Sequence, residues 1–161
     1  MQAELNAITD SLGRELALYQ ELIQVAGEER EILLAGEHDR LMGTAERKLG
    51  LCRNLAQMQE SRRRLMRQLS PRPERPLKLS DLADWLPAPQ RGPFRSLVDR
   101  LAGLAGELGR LNQGNKGFLE EALGTVEEIL GMIMNAGRPQ GYGPGGQKPA
   151  PAAPRLVARE V

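Results

Sequence analysis

The chain of 161 residues has little of what catalytic and metal sites are built from. A single cysteine, Cys52, excludes an internal disulfide framework and any multi-cysteine zinc site. A single histidine, His38, removes most metal and acid–base chemistry; between Glu37 and Asp39 it reads as a solvated turn residue. Aromatic residues make up 3% and are confined to Tyr19, Trp85, Phe94, Phe118 and Tyr142. Neither sign of charge prevails: 22 Lys and Arg face 21 Asp and Glu, a formal net charge of +1. That balance argues against a surface built as a whole to attract nucleic acid or anionic lipid. No uninterrupted apolar run approaches the ~18 residues of a membrane span. Met1-Gln2-Ala3-Glu4-Leu5 carries an acid where a signal peptide would carry bases. The expectation is a soluble cytoplasmic protein that is not an enzyme, holds no cofactor or metal and does not insert stably into a membrane.

What is present is helix. All 11 prolines fall in two windows, 71–93 and 139–154, so long helices can run only over 1–70 and 94–138. Both stretches have helical periodicity and neither shows sustained strand-like alternation, which predicts an all-α fold. Leu5, Ile8, Leu12, Leu16, Tyr19, Ile23, Ala26 and Leu33 recur at steps of three and four. Gly36 can take the left-handed conformation that ends a helix, and Asp39 can cap the next. A second helix then carries Leu41, Ala45, Leu49, Cys52, Leu55, Met58, Leu65 and Leu69, with Cys52 a buried small hydrophobe in its seam. Two helices of about 30 residues joined by so short a loop read as a long antiparallel hairpin over 1–70. Charge supports the pairing. Residues 1–37 hold eight acids and two bases, net −6, whereas 38–78 hold eleven bases and four acids, net +7. Antiparallel packing lays the cluster Arg62-Arg63-Arg64 with Arg67 beside the acidic start of the first helix.

A Pro-rich linker, 71–93, carries a short helix with Ser80 as its cap and Leu82, Trp85 and Leu86 as one apolar stripe. Trp85 reads as a packing anchor, with an exposed partner contact as the other reading. The third long helix, over 94–136, starts near Pro93 at a first helical position. Leu97, Leu101, Leu104, Leu108, Leu111, Asn115, Phe118, Ala122, Thr125, Ile129, Met132 and Ala136 alternate between steps of four and three, a coiled-coil period. Asn115 puts an amide in that seam. Glycines at 103, 106, 109, 114, 117, 124 and 131 each cost ~1 kcal/mol relative to alanine. The helix therefore reads as marginal in its second half until a partner completes it; compositional drift on a solvent face is the plainer reading. The tail, 137–161, has ten Gly or Pro in 25 positions and is expected to be disordered.

Few motifs carry chemistry. Gly141-Tyr142-Gly143-Pro144-Gly145-Gly146 matches G-x-G-x-x-G but follows a helix and precedes a Pro-rich tail, so it makes no dinucleotide cradle. It presents one aromatic ring, either incidental or a docking residue. The basic stretch from Arg62 to Lys78 contains no aromatic for stacking on bases, and nucleic acid is not expected as a partner. Glu120-Glu121 and Glu127-Glu128 read as a solvated face with no basic or nucleophilic group beside them.

One run stands out: Leu111-Asn112-Gln113-Gly114-Asn115-Lys116-Gly117-Phe118-Leu119, then an amphipathic helix, then Tyr142-Gly143-Pro144-Gly145-Gly146-Gln147. This resembles the FlgN family of bacterial flagellar type III export chaperones, whose C-terminal half carries an N-x-x-N helix and a Y-G-x-x-G-Q tail. The acidic leucine-rich first helix and the Arg-rich end of the second are similar too. The likeness spans nearly all of 1–150; the insert at 71–93 and the extension from Lys148 are less typical. It implies a cytoplasmic chaperone that holds the hook-filament junction proteins FlgK and FlgL before secretion and delivers them to the export gate component FlhA. Leu111, Asn112, Asn115, Phe118, Leu119, Ala122, Val126 and Ile129 would then bind substrate, and Tyr142, Gly143 and Gly146 would dock on the gate. A homo-oligomeric coiled-coil scaffold, with 97–136 paired to its own copy, is the alternative, and self-association is left open.

Overall fold

The computed structural model describes residues 1–70 and 77–136, which form four helices and no strand. They are α1 (Gln2–Ala35), α2 (His38–Leu69), α3 (Leu79–Ala83) and α4 (Ala88–Ala136). The expected all-helical class holds among these residues. Residues 71–76 and the tail from 137, with the disorder expected of it, lie outside them. By chain compactness the protein divides into two units, Met1–Ala122 and Leu123–Val161.

In the first unit α1 closes on Gly36, which takes φ 70° and ψ 18°. The Gly36 amide donates to the Leu33 carbonyl at 3.3 Å and the Glu37 amide to the Ile32 carbonyl at 3.1 Å, so two otherwise open carbonyls are satisfied. That closure leaves two residues, Gly36 and Glu37, between the helices. Asp39 is consequently not the cap that sequence suggests: α2 already begins at His38, and Asp39 sits in its first turn. The His38 backbone is helical rather than a turn.

Polar pairs tie α1 to α2 along their length. Arg62 donates to both carboxylate oxygens of Glu15 at 2.7 and 3.1 Å, and Gln59 to the Tyr19 hydroxyl at 3.2 Å. Arg47 donates to Glu28 at 2.7 Å and Lys48 to Glu29 at 2.6 Å. Glu15 and Tyr19 find their partners late in α2, at Arg62 and Gln59, and Glu28 and Glu29 find theirs early in it, at Arg47 and Lys48.

The inward face of α2 is therefore carried by Thr44, Lys48, Leu51, Leu55, Gln59, Arg62, Met66 and Leu69, none of them exposed. This corrects the expected seam. Ala45, Leu49 and Cys52 lie to one side of that face and are exposed. Long ion-paired side chains fill inward positions there, which an apolar count reads as solvent face. On α1 the seam shifts by one residue after Tyr19: Leu22, Val25, Ala26, Glu29 and Ile32 are buried, while Ile23 and Leu33 are only half-buried.

The main core gathers Leu5, Ile8, Leu12 and Leu16 of α1 with Met66, Leu82, Ala83, Leu86, Phe94 and Leu101; Trp85 packs half-buried against it, as an anchor would. A smaller cluster joins Leu22, Ala26, Leu55 and Leu108, with Leu111 against it. Two details of the linker differ from expectation. The Lys78 amide donates to the Asp81 carboxylate at 3.1 Å, so Asp81 reaching back closes the start of α3 and Ser80 is not the cap. Helix α4 starts at Ala88, and Pro93 lies inside it rather than at its first position. The first turn is secured independently of Pro93: the Gln90 amide donates to the Pro87 carbonyl at 2.8 Å, and Arg91 Nε to the Leu86 carbonyl at 2.9 Å.

Candidate partner-binding helix

Helix α4 changes character along its length. Phe94, Leu101 and Leu108 are buried, and Leu97, Leu104 and Leu111 half-buried, so the expected heptad seam faces the core through position 111. Asn115 continues it, 2% exposed, and its amide donates to the Ala26 carbonyl at 2.9 Å and to Glu29 Oε2 at 2.7 Å. The same Glu29 oxygen accepts from Lys48, so one carboxylate joins α1, α2 and α4. An amide suits this place because it donates to two acceptors at once without bringing a second charge. One turn on, the Arg30 guanidinium lies over the Phe118 ring, 5.4 Å from its centroid. The Oδ1 atoms of Asn112 and Asn115 are buried without a hydrogen-bond partner among the described residues. Leu119 and Ala122 close this unit exposed.

The second unit is described through Ala136 and is the end of α4. Leu123, Val126, Ile129, Leu130, Met132, Ile133 and Met134 are all between 46% and 74% exposed. At 3.6 residues per turn they share one broad face. Glu127 borders that face on one side and Glu128 on the other, with Gly124 and Gly131 between the two acids. The glycines therefore sit on the acidic face, and Thr125 is the one polar residue within the apolar one. A Cβ placed on either glycine meets no atom within 4 Å, so no close approach within the described chain requires them.

The family model of the FlgN protein matches residues 1–150. The chain belongs to the FlgN family. No curated protein and no solved structure matches it significantly. FlgN membership suggests a flagellar export chaperone, the coarse role implied by the sequence motifs. Among the described residues no group of His, Cys, Asp and Glu could hold a metal ion, and no helix is long and apolar enough to cross a membrane.

On this FlgN chain the expected substrate-binding residues fall into two environments. Leu111, Asn112, Asn115 and Phe118 lie wholly or partly against the rest of the first unit, whereas Leu119, Ala122, Val126 and Ile129 are exposed. Tyr142, Gly143 and Gly146 lie outside the described residues. Sequence reasoning missed Leu123, Leu130 and Ile133, which form a second apolar row beside the counted seam. Counting a full 3.6-residue face instead of one heptad row would have found them. It also missed Arg30 as the partner of Phe118, for which one of two bases in an acidic helix carries no signal.

Proposed function

We propose that the protein is a flagellar export chaperone that holds the hook-filament junction proteins FlgK and FlgL in the cytoplasm and hands them to FlhA at the type III export gate. The observation that carries this reading is the exposed apolar face of Leu123–Met134 on a chain of the FlgN family. A helix-prone segment of a client laid on that face would bury side chains that are about half exposed in the free chain, at about 1 kcal/mol or more for each. Val126 and Ile129 meet the client directly, together with Leu119 and Ala122. Leu111, Asn112, Asn115 and Phe118 hold the preceding turns in place, and join the client surface where their exposed atoms allow. Tyr142, with Gly143 and Gly146 giving its backbone freedom, would be the gate-docking element.

The experiment is titration of purified FlgK and FlgL with wild-type chain and with Val126→Asp/Ile129→Asp. The wild type is expected to bind one to one. The variant should bind at least tenfold more weakly at an unchanged melting temperature, because both side chains are exposed. Equal binding by the variant would remove this surface from the proposal. Failure of the wild type to bind either protein would remove the chaperone role.

A further inference from the structure

The exposed flank of α2 carries a second apolar pattern, wholly inside the first unit. Met42, Ala45, Leu49, Cys52 and Ala56 recur at alternating steps of three and four, the spacing by which one helix packs along another. At 3.6 residues per turn they fall within about 80° of arc, and no other residue of 42–56 shares it. All five are exposed, Met42 by 70% and Leu49 by 51%. One edge of this stripe turns into the inward face of α2. Glu46 and Arg53 line the other edge; both are exposed and make no ion pair among the described residues. These two opposite charges stand on one side of the stripe, three residues before Leu49 and four after it.

We infer that this stripe packs against the same stripe of a second copy of the chain, with the two α2 helices antiparallel and Leu49 at the centre. A two-fold axis there brings Glu46 of each copy to within one residue of the level of Arg53 of the other, on the same side, so both charges find a partner twice. A parallel pair leaves them seven residues, about 10 Å, apart along the helices and joins neither. The apolar side chains agree with the antiparallel register: Met42 lies level with Ala56 of the other copy, and Leu49 with Leu49. Two large and three small side chains from each copy cover less than the ~1,200 Å² of a standard stable interface, so the pair is weak and reversible. The two Cys52 residues stand six residues apart along it, about 9 Å, too far for a disulfide. No residue assigned to clients takes part, and the association stands independently of the chaperone reading.

Full-length protein tests this by sedimentation equilibrium in reductant and low salt, with no client present. The wild type is expected to reach dimers as its concentration rises, and to associate less at high salt. Leu49→Glu, Glu46→Arg and Arg53→Glu should each weaken the dimer about tenfold or more, the last two by setting like charges together at both contacts. The double reversal Glu46→Arg/Arg53→Glu should associate as the wild type does, because each contact again joins opposite charges. That recovery belongs to a face paired with itself, since positions 46 and 53 are too far apart to repair each other within one chain. Circular dichroism checks that the variants are folded; all three positions are exposed. A wild type that stays monomeric, single variants that associate unchanged, or a double reversal no better than its parts overturns the inference. So does a Leu49→Glu chain that dimerises normally but no longer binds FlgK or FlgL, because the stripe then belongs to a client. Whether the wild type binds FlgK or FlgL at all leaves the dimer result untouched.

Discussion

Glu15 is 1% exposed, and its carboxylate is held by both guanidinium bonds of Arg62. A charge so placed is costly to abandon and of little net worth when paired. Arg62→Ala is therefore expected to lose about 3–5 kcal/mol in urea unfolding. Replacing both partners, Glu15→Leu/Arg62→Met, should lose much less, since no buried charge is stranded. Asn115 obeys a different logic. Its amide serves Ala26 and Glu29, so Asn115→Ala should cost about 1–3 kcal/mol through the loss of two buried hydrogen bonds. Asn115→Asp should cost more at neutral pH, because it sets a second carboxylate against Glu29, and part of that excess should vanish in acid as a carboxyl takes up a proton. Urea unfolding at two pH values distinguishes the cases. At the surface, hydrogen bonds from Arg67 and Arg64 hold the Glu60 carboxyl below its usual range. The stabilisation this gives is present at neutral pH and fades as pH falls through the lowered value.

At the scale of a helix, the end of α4 combines a good apolar face with two poor helix formers. Gly124→Ala and Gly131→Ala meet open space, so each should add about 1 kcal/mol of local helix stability. Slower amide exchange over 123–136 would register it. A client should then bind more tightly, because less ordering remains to be done on binding. Helix boundaries and faces were legible in sequence to different degrees. Gly36 and Ser70-Pro71 marked where α1 and α2 stop, since a left-handed residue and a missing amide act locally. The core face of α4 through Leu111 was legible because leucine carries it almost alone. The inward face of α2 was not: Lys48, Gln59 and Arg62 point inward only because Glu29, Tyr19 and Glu15 wait on α1, and such pairings are invisible along one helix. The start of α4 was misread at Pro93, because hydrogen bonds from Gln90 and Arg91 secure a turn that the proline itself could not. At the candidate site the motif run lies on α4, and the structure distinguishes its buried members from its exposed ones.

Over the whole molecule, stability and accessible apolar surface are distributed unequally. Both core clusters belong to Met1–Ala122, whereas the described apolar side chains of the second unit are exposed. Amide exchange should follow global unfolding for the buried stretch of α1, Leu5–Ile32, and run far faster over 123–136 in the free chain. Adding FlgK or FlgL should slow the second set and leave the first unchanged; slow exchange of both sets in the free chain would contradict conditional folding. Cys52 has a practical bearing on all such measurements. As the chain's one thiol, standing exposed on α2, it accepts a single maleimide dye or spin label at a known place and without mutagenesis. Air oxidation would join two copies through the same sulfur, so a covalent dimer on a non-reducing gel reports thiol chemistry, and a reductant must be present before any association is ascribed to helix packing.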